Sequence, residues 1–255
     1  MLSVYKGLLL LSGNIFKHLC YVYQYLFPKK RFTVPPHTQP LKKAKYEQKI
    51  PRIIWQTNFT DKFTLPVYFN YWVNRHMSPT YEHRFVSTEA RAEFIKENYP
   101  KDIYDAYSRI QIGAAQADFW RVLVLYKYGG VYLDIDATTV VSLDKLIKPE
   151  DTEKFLKLKD GRICNSFIAA APNNPIIGKI IEQIKRNIEE NTIGGVFDMT
   201  GPGVFNKLLD SGKVNTFHYK SCFQGGFTNE YFQYIDKAEG KWTKQQNTTP
   251  VVRKD

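Results

Sequence analysis

Apolar residues step by three and four through Leu8, Leu11, Ile15, Leu19, Val22 and Leu26, which predicts one face of a helix over residues 1–27. From Ile50 the pattern changes. Residues 50–57 (IPRIIWQT) read as a buried strand running into a polar loop, residues 66–74 as a helix, and residues 81–86 as a strand. Ser87 caps a helix through Ala90, Phe94 and Ile95 that Pro100 ends. A long helix over 113–128 is stopped by Gly129-Gly130, since glycine tolerates the left-handed conformation of a helix C-cap. Strands follow over 131–137 and 166–171. Pro175 opens a helix carrying Ile176, Ile180, Ile184 and Ile188, four residues apart; residues 200–203 form a turn and 204–209 a short helix. After about residue 212 periodicity fades into Phe, Tyr, Gly and Gln, an irregular segment suited to covering a site. Alternating strands and helices predict an α/β domain with a largely parallel sheet, whose ligands bind beyond the carboxyl ends of the strands.

Charge separates the ends of the chain. Of the net +11 over 255 residues, +8 falls in residues 1–50, with nine Lys and Arg against Glu47. Residues 28–49 hold Pro28, Pro35, Pro36, Pro40 and a lysine cluster, the composition of an extended basic linker. The expected organisation is therefore a helix over 1–27, a linker over 28–49 and a domain over 50–255. The longest uncharged run in the first helix is ten residues, against the roughly 20 needed to span a bilayer. Its apolar stripe and basic collar fit a helix lying in an anionic membrane surface; core packing, a signal peptide and a short anchor are the competing readings. No nucleic-acid motif accompanies the charge, so nucleic acid is not an expected partner. Three scattered cysteines, Cys20, Cys164 and Cys222, exclude a disulfide scaffold or a thiolate zinc site.

The sharpest chemical feature is Gly-Gly-Val-Tyr-Leu-Asp-Ile-Asp at 129–136. If residues 131–137 are one strand, Tyr132, Asp134 and Asp136 face one way and Val131, Leu133 and Ile135 the other. Two carboxylates held together near an apolar surface call for a positive partner, and a hard divalent cation shared with phosphates is suitable. In the preceding helix Asp118 and Arg121 share a face, either as a structural ion pair or as part of a polar site.

The stretch Ala117-Asp-Phe-Trp-Arg121 followed by Tyr128-Gly-Gly-Val-Tyr-Leu-Asp-Ile-Asp136 closely resembles the D-x-D sugar-binding region of glycosyltransferase family 32, which includes fungal mannosyltransferases and bacterial capsule and lipopolysaccharide enzymes. It is also similar to the core of the large clostridial glucosylating toxins. Residues 50–57 resemble the family's opening strand and Thr200-Gly-Pro202 its later turn. The resemblance implies a GT-A-type fold, with a Rossmann-like, mostly parallel sheet flanked by helices, and retaining transfer from a nucleotide-diphosphate sugar. It implies Mn²⁺ or Mg²⁺ held by Asp136 and Asp134, with catalytic roles for Asp118, Arg121 and Asp136. The donor would be bound by Trp55, Gln56, Thr57, Asp118, Arg121, Tyr132, Asp134 and Asn165. Trp55 is equally a core aromatic, and Asn165 equally a turn residue. His218, as a further metal ligand, and Trp242 are candidates for the family's terminal motif, although their sequence context departs from it.

The expected function is transfer of a hexose or N-acetylhexosamine from a UDP- or GDP-sugar onto a capsule, O-antigen or lipooligosaccharide acceptor, on the cytoplasmic face of a bacterial inner membrane. The rivals are a toxin-like enzyme with a protein acceptor, a nucleotide-sugar hydrolase and a non-catalytic sugar- or nucleic-acid-binding module.

Overall fold

The computed structural model describes residues 2–253; Met1, Lys254 and Asp255, which end the expected 1–27 and 50–255 segments, lie outside the described residues. In chain order the elements are α1 (Leu2–Leu26), β1 (Phe32–Thr33), β2 (His37–Thr38), β3 (Ile53–Thr57), β4 (Lys62–Phe63), α2 (Leu65–Met77), β5 (Glu82–Val86), α3 (Thr88–Asn98), α4 (Lys101–Arg109), α5 (Gly113–Tyr128) and β6 (Gly130–Leu133). There follow β7 (Ala137–Thr139), α6 (Leu143–Leu146), β8 (Glu153–Lys157), β9 (Ile163–Ala170), α7 (Pro175–Glu190), α8 (Val196–Met199), α9 (Pro202–Leu208), β10 (Thr216–His218), β11 (Cys222–Gln224), α10 (Glu230–Tyr234) and α11 (Trp242–Gln245).

Seven strands form one sheet in the order β10-β8-β9-β6-β3-β5-β2. Five of them run the same way; β9 and β2 run against the rest. The sheet is thus mixed and mostly parallel, as expected. Alternation sorts its side chains onto two cores. Trp55, Tyr132 and Ile168 pack with Trp120 of α5 and the isoleucines of α7, while Ile54, Val131, Leu133 and Phe167 pack on the opposite face with Leu143 and Cys222.

Local chemistry sets the helix ends. The Ser87 hydroxyl accepts from the Ala90 amide at the start of α3, and the Asn174 side chain accepts from the Ile176 and Ile177 amides at the start of α7. Along α7, Ile177, Ile180, Ile181, Ile184 and Ile188 are buried, each contributing about 1.5–3 kcal/mol of apolar transfer as an upper estimate. Gly129 ends α5 at φ 66°, and its amide returns to the Leu125 carbonyl. A Cβ there would stand 2.7 Å from both Pro51 and Pro172, so the position needs glycine for space as well as conformation.

Several elements depart from expectation. Pro100 ends α3 and at once serves as the N-cap of α4, which the reading of residues 87–100 lacked. Strand β8 hides its buried Phe155 and Leu156 between charged ends. The segment after residue 212 supplies two strands, and β11 pairs with β7 directly after the D-x-D turn. Residues 28–49 are extended but packed rather than free: β2 adds an edge strand beside β5, β1 pairs with β4, and Val34 is buried.

Helix α1 lies against the domain through a face the periodicity did not mark. Gly13 and Cys20 are buried, and Phe16 stacks on Phe69 of α2 at 4.3 Å between centroids. The stripe Leu8, Leu11, Ile15, Leu19, Val22 and Leu26 is exposed.

Candidate active site

The strand expected over 131–137 stops at Leu133, and Asp134-Ile135-Asp136 form a turn. The correction has a tertiary cause. The Asn70 side-chain amide donates to the Ile135 and Ala137 carbonyls, and the Gly225 amide donates to the Asp136 carbonyl. Satisfied from outside, these groups leave the sheet ladder. Ile135 then packs beside Phe63 and Phe232 rather than with Val131 and Leu133. The turn still gathers the two carboxylates at the carboxyl end of β6.

Asp118 and Arg121 project from α5 into the same place, both 6% exposed. Arg121 Nη2 pairs with Asp118 Oδ1 at 2.9 Å, Nη1 donates to the Asn165 carbonyl at 2.7 Å, and Nη1 stands 3.6 Å from Asp134 Oδ1. The guanidinium lies 4.2 Å from the centroid of the Tyr132 ring, whose hydroxyl donates to Asp134 Oδ1 at 2.7 Å. Asp118 also accepts from Asn165 Nδ2 at 2.9 Å and from Thr200 Oγ1 at 3.2 Å. The Asp–Arg pair therefore belongs to a polar site spanning α5, β6 and β9 and reaching the turn before α9.

From 88 residues downstream, Gln224 of β11 donates to Asp136 at 3.1 Å and to Asp134 at 3.3 Å. Gln233 of α10 stands close enough to Asp136 to favour its charged form. Residues 222–234 thus cover the acidic turn. Gln224 and Gln233 carry no motif of their own, and the glutamine-rich composition of the irregular segment was their only signal; Thr200 belongs to the Thr200-Gly-Pro202 turn that the resemblance marked.

Electrostatics single out Asp136. Burial raises the pKa of Asp118 and Asp134, opposed in each case by Arg121. Burial opposes the charge of Arg121, but Tyr132, Asp118 and Asp134 outweigh it and its pKa is raised. The Asp136 carboxyl is pushed up to about 6, first by burial and then by Asp134. Among the described residues Asp136 has amide donors but no cationic partner. Two half-buried carboxylates on one turn, one of them uncompensated, are the hard oxygen donors that Mg²⁺ or Mn²⁺ accepts while completing its shell with water and phosphate. Asp134 and Asp136 therefore fit such an ion.

His218 does not join them. It is exposed on β10, three strands from β6 in the sheet order, hence about 14 Å away at the usual strand spacing. No group of three or more His, Cys, Asp and Glu gathers as a metal site among the described residues. Trp242, at the start of α11, makes no hydrogen bond to the acidic turn.

Trp55 takes its core reading. It is buried, its indole N–H donates to the Gly129 carbonyl at 2.9 Å, and its ring meets Trp120 edge-on. Gln56 and Thr57 are buried at the end of β3, where they donate to the Leu133 and Val86 carbonyls. They support the strand ends beneath the site. Asn165 sits inside the cluster, as the resemblance implied.

This sheet and acidic turn define the GT-A type of glycosyltransferase fold. The structure shares the fold of a solved PaToxG glycosyltransferase, with a TM-score of 0.52 at 19% identity over 81% of this chain and 78% of that one. Residues 66–153 match the family described as the glycosyltransferase sugar-binding region containing a DXD motif. It is 27% identical over 197 residues to the initiation-specific alpha-1,6-mannosyltransferase of Schizosaccharomyces pombe, covering 64% of this chain and 49% of the relative. It is 30% identical over 144 residues to inositol phosphoceramide mannosyltransferase 3 of the same yeast, covering 54% of this chain and 38% of the relative. The chain spans about half the length of the first of these relatives, and less of the second.

Proposed function

We propose that this chain is a divalent-cation-assisted, retaining glycosyltransferase that moves a hexose or N-acetylhexosamine from a UDP- or GDP-sugar onto a glycan or glycolipid acceptor. The observation that carries the reading is the Asp136 carboxylate, half-buried beside Asp134 and without a cationic partner among the described residues, with a buried Asp118–Arg121 pair against Asp134 at the carboxyl end of a mostly parallel sheet. The relatives named as mannosyltransferases, one of them for inositol phosphoceramide, support the sugar class and a glycan or glycolipid acceptor.

Asp134 and Asp136 would hold the cation, whose contribution when bound is Lewis-acid stabilisation of the departing diphosphate. Arg121 is fixed by Asp118 and the Asn165 carbonyl before any substrate arrives, so its charge needs no reorganisation when negative charge develops nearby. Asp118 already accepts from Arg121, Asn165 and Thr200 and keeps a lone-pair position for a sugar hydroxyl. Tyr132 holds Asp134 in place. No side chain in the cluster combines nucleophilic character with an adjacent base, which favours front-face departure for the retaining step. Gln224 and Gln233 shield the carboxylates from solvent and would be displaced or re-aimed as donor enters.

The test is calorimetric titration with UDP and with GDP, with and without Mn²⁺, on the wild type and on Asp134→Ala/Asp136→Ala. Metal-dependent binding of one nucleotide, lost in the double variant, is expected. Metal-independent binding, or no binding of either nucleotide, would sink the reading.

A further inference from the structure

Helix α1 presents two unlike faces. Its inner face is seated on the domain, and its outer face carries Leu8, Leu11, Ile15, Leu19, Val22 and Leu26, each between 56% and 64% exposed. An unpartnered aliphatic row about 27 Å long is unusual on a protein surface. Aromatic side chains extend it: Tyr5 and Tyr25 on the same helix are exposed, and so is Trp72 of α2, stacked on Phe69 beside Phe16. Toward the N-terminal half the row opens into an apolar groove of about 490 Å³ against Met77 and Val140. Lys29 and Lys30, directly after the helix, are exposed, as are Lys42, Lys43, Lys45 and Lys49 in the following segment.

The chemistry of this face selects its occupant. A symmetric second copy would bring these lysines against their own kind, and a nucleic acid would match the lysines but not the aliphatic row. Aliphatic side chains flanked by exposed Trp, Tyr and Lys match the layers of an anionic bilayer surface. No helix among the described residues is long and apolar enough to cross a membrane, so α1 would lie on the surface. We propose that the outer face of α1 docks flat on an anionic lipid bilayer.

The inner face gives the docking its consequence. Lys17 Nζ donates to the Gly225 carbonyl at 2.8 Å, and the Gly225 amide donates to the Asp136 carbonyl at 3.1 Å. Phe16 meets Phe227, and Tyr21 accepts from Asn229 and packs on Phe232. One residue therefore separates the lipid-facing helix from the acidic turn, and the segment α1 grips is the one that carries Gln224. A docked α1 sets the mouth of the site beside the headgroups, where an acceptor borne on a lipid would be presented. The docking stands apart from the transferase reading; only the choice of a lipid-borne acceptor rests on it.

The test is co-sedimentation of the full chain with phosphatidylcholine vesicles containing 30% phosphatidylglycerol, and with vesicles of phosphatidylcholine alone. The variants are Leu11→Ser/Ile15→Ser/Leu19→Ser and Lys29→Gln/Lys30→Gln, whose altered side chains make no contact with the acidic cluster. The wild type is expected to pellet with the anionic vesicles and at least tenfold less with the neutral ones. The triple variant should stay in the supernatant, and the lysine variant should partition roughly 30-fold more weakly, about fivefold for each charge removed. UDP and GDP affinities, measured alongside, should be unchanged. Equal sedimentation of the triple variant and the wild type overturns the proposal, as does a wild type that ignores anionic vesicles. So does a wild-type dimer that the triple variant converts to monomer, since a second copy would then cover the row. Loss of nucleotide binding by every form with vesicle binding intact would instead sink the transferase reading.

Discussion

Replacing Arg121 with Met keeps the apolar stem and removes the charge. The guanidinium is 6% exposed, 2.9 Å from Asp118 and 3.6 Å from Asp134. Its loss strands one buried and one half-buried carboxylate and leaves the Asn165 carbonyl without this donor. Breaking a buried pair from one side costs about 3–5 kcal/mol, a large part of a typical domain stability of about 5–15 kcal/mol. In a chain of this size the penalty corresponds to a fall of roughly 6–20 °C in Tm. Adding Asp118→Leu removes one stranded charge, although Asn165 and Thr200 lose their acceptor. The double variant should therefore lie above the sum of the singles, with a coupling of about 1–3 kcal/mol. Urea unfolding of the four members of the cycle measures this. An Arg121→Met stability within about 1 kcal/mol of wild type, or zero coupling, would refute a buried pair working as a unit.

Two further outcomes follow from particular environments. His83 is buried on β5 with both ring nitrogens unpartnered, and burial, then Arg75, holds its pKa at about 3, against 6.5 when exposed. The unfolded chain binds this proton first as pH falls, so stability is present in full above pH 6.5 and drains away toward pH 3. The loss between pH 7 and pH 5 is about 2 kcal/mol, and His83→Phe should flatten the denaturation profile by that amount; an unchanged slope would count against a neutral buried imidazole. A Cβ on Gly13 would collide with the Gly226 carbonyl, whereas one on Gly7 would meet nothing. Gly13→Val should thus cost about 1–3 kcal/mol in thermal unfolding and weaken metal-dependent nucleotide binding through Gln224, while Gly7→Ala should be neutral or stabilising by up to about 1 kcal/mol.

What the sequence made legible was what local rules control. The bounds of α5 follow from its apolar run and from Gly129, and the start of α7 follows from Asn174-Pro175. Asp118, Arg121, Tyr132, Asp134 and Asn165 converge as the motif spacing and the resemblance implied. Distant partners set the rest. The alternation of Leu133-Asp-Ile-Asp136 reads as strand until Asn70 and Gly225 take its carbonyls, and nothing near Gln224 announces the carboxylates it meets. Residues 28–49 look solvated by composition, yet the open edge of β5 recruits β2 from them. On α1 periodicity marked an apolar stripe and was silent on which face packs; Gly13, Phe16 and Cys20 supplied the seat because small and aromatic groups fit against Gly226, Phe69 and Phe227.

The seat of α1 also orders events during synthesis. Lys17 and its partner Gly225 are 208 residues apart, so α1 leaves the ribosome long before the later part of its seat, around Gly225, has been made. At about 5–20 residues per second that interval is roughly 10–40 s. Throughout it the outer stripe is bare, and the seat has only its early half, Phe69 and its neighbours in α2, without Gly225 and Phe227. This helix therefore waits incompletely seated, and a chaperone or a nearby bilayer meets it before its whole seat exists.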